Sequence, residues 1–265
     1  MNGKQVALIS GGGRGIGAAT ARELGGLGYH VVVNYRRDTA AADEVVKDIH
    51  AAGGTAQAAR ADVTDEAQVA VLVDGVVAEH ERIDVLVGNA NTAVPPFGPL
   101  VHLPWEAFAA KVDGELAGVY HLTRRVLPVM AERRAGRIVY VSSTAAELII
   151  GSIAQSVATA ALNAFGQQVA AEAIRDRITV NTIALGAVAT DATADVFING
   201  IQRHFGNRSI TGRLQEPEDV ARPIAALVDG TFGTVTGQLV RADAGYGLLS
   251  QLLDGLPGQF APAAP

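Results

Sequence analysis

The chain has 265 residues, of which 49% are hydrophobic, 18% charged and 5% aromatic, with 30 glycines and a net charge of −6. This composition excludes disorder and fits one large α/β domain with an aliphatic core and many tight turns. With no cysteine there is no disulfide framework, thiolate nucleophile or cysteine-held metal, and no basic cluster offsets the acidic balance to suit nucleic acid. No run approaches the ~20 apolar residues of a membrane span. The short Val6–Ile9 run meets a glycine loop at once, unlike the core of a signal peptide, so a cytoplasmic protein without membrane contact is expected.

In chain order, strands are predicted at Val6–Ile9, Val31–Tyr35, Thr55–Arg60, Ile83–Val87, Arg137–Val141, Ile178–Ile183 and Gln238–Arg241. Runs such as Val31-Val32-Val33 lack polar alternation, as strands covered on both faces do. Helical periods separate them at Ile16–Leu27, Ala40–Ala52, Asp65–His80, Trp105–Arg133, Ile153–Arg175 and Pro217–Asp229. Thr64 before Asp65-Glu66, and Glu216 before Pro217-Glu218-Asp219, mark helix starts. This alternation predicts an α/β domain over residues 1–254, built as a doubly wound parallel sheet of about seven strands. Residues 190–212 break the rhythm and read as a lid over the strands' carboxyl ends. Residues 255–265 are rich in Pro, Ala and Gly and read as a loose tail.

The strongest signal is Ser10-Gly11-Gly12-Gly13-Arg14-Gly15-Ile16-Gly17, between the first strand and the first helix. Glycine lets backbone approach a pyrophosphate, whose charge the helix N-terminus then stabilises. An NAD site wants a carboxylate about 20 residues further on, for the ribose 2′-hydroxyl. The second strand instead ends Asn34-Tyr35-Arg36-Arg37, with Arg14 in the loop opposite. Guanidinium suits a 2′-phosphate through bidentate, charge-assisted bonds, so NADP(H) is expected over NAD(H).

These motifs together resemble the short-chain dehydrogenase/reductase family over nearly the whole chain. The loop is similar to its T-G-x-x-x-G-x-G, with Ser10 in the threonine place and Gly11, Gly15 and Gly17 matching. Asp62-Val63 resembles the adenine-contacting pair, and Asn89-Ala90 the centre of N-N-A-G in Gly88-Asn89-Ala90-Asn91. Leu185-Gly186-Ala187-Val188-Ala189-Thr190 resembles P-G-x-V-x-T, which lies on the nicotinamide, with leucine for proline. Gly237-Gln238 and Asp243-Ala244-Gly245 are similar to the closing G-Q-x-x-x-x-D-G-G. The resemblance implies a Rossmann-type fold, a carbonyl-type small-molecule substrate and a homodimer or homotetramer pairing through Leu116–Met130 and Ala158–Ala173.

In that family a serine orients the carbonyl, a tyrosine four residues before a lysine transfers the proton, and an asparagine on the long fourth helix supports a water relay. The strand Gly136–Ser143 places Ser143 in the serine position. The segment Ala160-Ala161-Leu162-Asn163-Ala164-Phe165 then puts Gln155 where the tyrosine belongs and Thr159 where the lysine belongs. A shift by one gives Ser156 and Ala160, so neither register supplies the pair. Glu115 falls in the asparagine place. A positioned acid contributes about 10²–10⁴-fold, and a glutamine amide donates a hydrogen bond but no proton at neutral pH. Ser143 and Gln155 could still point two donors at one oxyanion or enolate.

Glu115 is the new ionisable group, and His102 and Glu147 lie in loops within reach of a substrate. Tyr140 lies inside its strand and is expected to be packed. No histidine or carboxylate spacing suggests a metal. Three functions remain open: redox-neutral conversion of a carbonyl compound by cyclisation, dehydration or isomerisation; NADPH-dependent reduction with Glu115 or His102 as replacement acid; and a catalytically silent cofactor-binding partner subunit.

Overall fold

Strand and helix alternate as far as β6, after which two helices precede the last strand: β1 (Val6–Ile9), α1 (Gly15–Gly26), β2 (His30–Tyr35), α2 (Thr39–Ala51), β3 (Thr55–Arg60), α3 (Glu66–His80), β4 (Val85–Gly88), α4 (Trp105–Arg133), β5 (Gly136–Ser143), α5 (Ile153–Ala173), β6 (Ile178–Leu185), α6 (Ile201–Gly206), α7 (Pro217–Val228) and β7 (Leu239–Ala242). The computed structural model describes residues 3–91, 94–148, 151–194 and 201–248. All neighbouring strands pair in parallel, in the order β3-β2-β1-β4-β5-β6-β7. The doubly wound sheet expected from the alternation is therefore present.

Both faces of the sheet are covered, which explains why the strands lack polar alternation. Val6, Leu8 and Val32 pack with apolar residues of α3, α4 and α5, while Ala7, Ile9, Val31 and Val33 pack with α1, α2 and α7. The strand order reverses between β1 and β4, so the crevice outside their carboxyl ends is the switch point where such sheets take ligands. At the opposite edge, Asp84 accepts the Val6 N–H at 2.8 Å and a two-pronged contact from Arg82 at 2.7 and 2.6 Å. That fixes the amino ends of β1 and β4 while leaving their carboxyl ends to the crevice.

Boundaries differ from expectation where side chains compete with the ladder. Asp65, not Thr64, caps α3: its carboxylate accepts the Ala67 and Gln68 N–H groups, while Thr64 bonds Asp62. Strand β5 runs on to Ser143, which pairs with Leu185, and so carries that serine to the carboxyl end of the strands. In the expected lid, residues 191–193 form a 3₁₀ turn and α6 docks through His204 Nε2 to Tyr246 Oη at 3.2 Å. Residues 195–200 of that segment, and the tail at 255–265, lie outside the described residues. Among the described residues, no helix is long and apolar enough to cross a membrane.

Candidate dinucleotide and carbonyl site

The buried hydroxyl of Ser10 joins the two strands at the switch point. It donates to the Val87 carbonyl at 3.2 Å and accepts the N–H groups of Asn89 and Ala90 at 2.9 and 3.0 Å. The Asn89 amide continues inward to the carbonyls of Ser10 and Gly11 at 3.0 and 3.2 Å. Ser10 and Asn89 thus shape the glycine loop from behind.

Two glycines in that loop are sterically required. Gly11 adopts φ +63, in the left-handed region, and a Cβ on Gly17 would stand 2.2 Å from the Gly11 carbonyl oxygen. Gly15 turns the chain into α1 and faces Thr190, with Ile16 partly buried beside it. The cap position of α1 is Arg14, whose side chain makes no capping bond, and the first turn holds no acid. The helix N-terminus is thereby left to an anion.

A polar cleft of about 420 Å³ opens where β2 and β3 end, lined by Arg36, Arg37, Arg60, Asp62 and Gln68. Arg60 was not among the residues expected from sequence. The β2–β3 register pairs it with Tyr35, and its Nε donates to the Arg36 carbonyl at 3.3 Å. Arg36 lies 3.5 Å from Asp62. Burial alone would push the Asp62 carboxyl up, but hydrogen bonds from the Thr64 side chain and backbone and the Arg36 guanidinium together hold it below the usual range. Val63 is buried against Gly118 of α4, and Tyr35 packs at the end of β2.

On the far side of the crevice, Gly186 approaches Asp243 so closely that a Cβ would meet its Cα at 2.8 Å. Val188 is buried and bridges to Gln215, while Thr190 caps the following 3₁₀ turn. Ser143 is half-buried and accepts the Ala145 N–H at 3.2 Å, which leaves its own O–H as a donor. Gln155 follows the α5 cap, and its buried Oε1 finds no hydrogen-bond donor among the described residues. Thr159 is fully buried, and its hydroxyl donates to the Gln155 and Ser156 carbonyls at 2.8 and 3.2 Å.

Glu115 is buried on α4 and pairs with Lys111 Nζ at 2.6 Å. Lys111 has no exposed surface and also donates to Asn91 Oδ1 at 2.9 Å. Sequence reasoning missed Lys111. The available signal was its place on the buried stripe of α4 that continues through Gly118, Val119, Leu122 and Val126. His102 is exposed in a 3₁₀ turn, and Glu147 is engaged by Arg241. Tyr140 is packed as expected: burial pushes its phenol far up, against the weaker pull of its bond to Thr123. Among the described residues, no group of three or more His, Asp or Glu could hold a metal ion.

A family model described as Enoyl-(Acyl carrier protein) reductase matches residues 11–247. A 3-oxoacyl-[acyl-carrier-protein] reductase from Synechocystis sp. is 36% identical over 245 residues, 91% of this chain and 96% of the relative. A cis-4-hydroxycyclohexanecarboxylate dehydrogenase from Sinomonas cyclohexanicum is 35% identical over 250 residues, 92% of this chain and 96% of the relative. A short-chain type dehydrogenase/reductase from Mycobacterium marinum superposes with a TM-score of 0.84 at 25% identity, covering 91% of this chain and 95% of that one. The chain belongs to the short-chain dehydrogenase/reductase family.

Members of this family bind a nicotinamide dinucleotide, and the residues present fit one. The close Gly11–Gly17 approach keeps the loop narrow, the uncapped start of α1 suits a pyrophosphate, and the arginine-lined cleft suits a further anionic group. Substituting Gly17→Ala forces backbone apart at the loop, since its closest contact is a carbonyl oxygen rather than a flexible side chain. The variant should lose about 1–3 kcal/mol of stability in urea melts and bind dinucleotide more weakly in fluorescence titrations. Wild-type behaviour in both would show that the loop relaxes freely.

Proposed function

We propose that this short-chain dehydrogenase/reductase binds NADP(H) and converts a small carbonyl compound without net reduction, by cyclisation, dehydration or isomerisation. The observation that carries this is the state of Gln155 and Thr159. The Thr159 hydroxyl is spent on helix carbonyls, and Gln155 presents an amide that gives up no proton and whose Oε1 finds no partner among the described residues. In the family register these two stand where a tyrosine and a lysine move the proton. Ser143 and Gln155 then serve as neutral donors that stabilise an oxyanion or enolate, which redox-neutral carbonyl chemistry requires and ketone reduction does not find sufficient. The nicotinamide group, when bound, supplies hydride-transfer capacity or simply one wall of the cleft.

A second function, NADPH-dependent ketone reduction, is favoured by a different observation. The buried Lys111–Glu115 pair puts ionisable groups at the carboxyl edge of β4, and the named activity of the Synechocystis relative is a reductase. We also propose that the protein assembles as a homodimer or homotetramer through α4 and α5, which lie side by side and expose Tyr120, Ile153 and Val157. A cytoplasmic location accompanies this proposal.

For the cofactor, NADPH is expected to bind at least about tenfold more tightly than NADH, the worth of one charge-assisted bond. Arg36→Ala should erase most of that margin in paired titrations. Equal affinities that the variant leaves unchanged would count against NADP(H). In static light scattering at micromolar concentration the wild type should run at two or four chain masses, and a monodisperse monomer would exclude the oligomer. For the chemistry, wild type should consume no NADPH above background across a panel of simple ketones. Gln155→Tyr with Thr159→Lys should create measurable reduction, and Gln155→Tyr alone much less, because an unassisted phenol titrates near ~10. Ordinary enzymatic rates from wild type would reject the redox-neutral proposal and promote the reductase.

A further inference from the structure

Three polar residues that form no part of the family's serine–tyrosine–lysine set touch one another at the carboxyl edge of β4. Glu115 Oε2 accepts from Lys111 Nζ at 2.6 Å, and Lys111 Nζ donates to Asn91 Oδ1 at 2.9 Å. Lys111 is entirely buried and Glu115 nearly so, whereas Asn91 is exposed. Asn91 lies one residue beyond Ala90, whose N–H bonds the Ser10 hydroxyl that frames the glycine loop. The chain of contacts therefore runs from the helix interior to the rim of the crevice. In the motifs quoted above, the place of Asn91 is a glycine and that of Glu115 an asparagine, so two of the three side chains are departures that meet.

The chemistry of the contact fixes how the Asn91 amide is turned. An ammonium has only donors, so the atom facing Lys111 must be the amide oxygen, and Nδ2 is the other branch. That nitrogen forms no hydrogen bond among the described residues, and Asn91 as a whole is exposed. A cation bound to an amide oxygen draws electron density through the C–N bond and makes the N–H hydrogens stronger donors. Glu115 holds the ammonium in place and neutralises its buried charge. If stability alone were at stake, apolar residues on this stripe of α4 would serve as well or better, because burying two charges costs more than their attraction returns in many proteins.

Resting on the carbonyl role proposed above, we infer that Asn91 Nδ2, polarised by Lys111 and Glu115, is an oxyanion donor that binds the substrate's carbonyl oxygen. Asn91 would touch the substrate, and Lys111 and Glu115 act through it as positioning residues. No proton leaves the network, so it supplies charge stabilisation where the side chains at 155 and 159 supply no acid. It would serve reduction and enolate chemistry alike, since both place negative charge on that oxygen.

The test uses acetoacetyl-N-acetylcysteamine, ¹³C-labelled at the ketone, bound with NADP⁺ so that no reduction takes place. Infrared difference spectra read the ketone stretch, which moves to lower frequency when a strong donor binds the oxygen. Wild type should show that shift. Asn91→Asp keeps an acceptor for Lys111 and the side-chain shape but removes the donor, and should return the stretch to its solution value. Asn91→Gly removes the donor without adding charge and should do the same, which separates donor loss from repulsion. Lys111→Met with Glu115→Leu should shrink the shift while thermal melting stays at or above that of wild type. An undiminished shift in both Asn91 variants would overturn the inference and assign the donor elsewhere, with Ser143 first in line. If calorimetry shows that the probe does not bind wild type at all, the carbonyl role fails and the inference falls with it.

Discussion

One buried hydroxyl holds the crevice together. Ser10 Oγ ties the exit of β1 to the exit of β4 through a carbonyl and two N–H groups, at the place where the sheet's winding reverses. Both strands must leave the sheet in register for Gly11 to turn and for Gly17 to pass the Gly11 carbonyl. The same tie sets where Asn89, Ala90 and Asn91 stand. Without the hydroxyl, two N–H groups would lose their acceptor at about 1–3 kcal/mol each when left unpaired. A single serine at the end of β1 thus ties the glycine loop on one side to the exit of β4 on the other.

The charged groups at the two ends of the crevice follow different physics. Arg36, Arg37 and Arg60 line an open cleft where water screens them, and Asp62 keeps Arg36 near the cleft wall. Their mutual repulsion is tolerable only because solvent, Asp62 and an incoming anion share it. Lys111 and Glu115 are instead held away from water, so each needs the other at full ionic contact. The first group offers net positive charge to an open cleft, and the second imposes a direction on one amide.

Most of the fold could be read from the chain because it depends on local signals. Val31-Val32-Val33, Glu216-Pro217 and the glycine loop each declare a strand, a helix start or a turn without reference to distant residues. Ser143, Gln155 and Thr159 stand as candidates through their spacing from Gly136 and from Ala160–Phe165. Arg60 and Lys111 were not. Arg60 reaches the cleft only because the β2–β3 register sets it opposite Tyr35, a pairing that no local pattern encodes. Lys111 reads as a surface residue until α4 is docked, when its stripe with Glu115, Gly118 and Val119 turns inward. The start of α3 was misplaced by one residue for a related reason: Thr64 had a better partner in Asp62 than in the helix.

The contrast between the two halves of the site has a physical basis. The features that suit a dinucleotide are set by backbone: a left-handed turn at Gly11, a start of α1 without a side-chain cap, and a Gly11–Gly17 contact that leaves no room for a Cβ. Carbonyl chemistry rests on side chains standing on rigid elements, and α5 folds equally well with Gln155 and Thr159. A threonine inside a helix can return its hydroxyl to the preceding turn, as Thr159 does, and needs no other partner. The sheet and its helices therefore place few demands on residues 155 and 159. The fold constrains where the reacting oxygen would sit far more tightly than it constrains which group meets it. A second set of donors can then arise on α4 and at the end of β4, provided that their charges neutralise one another inside the protein. Lys111 and Glu115 meet that condition, and Asn91 carries their effect to the surface of the crevice.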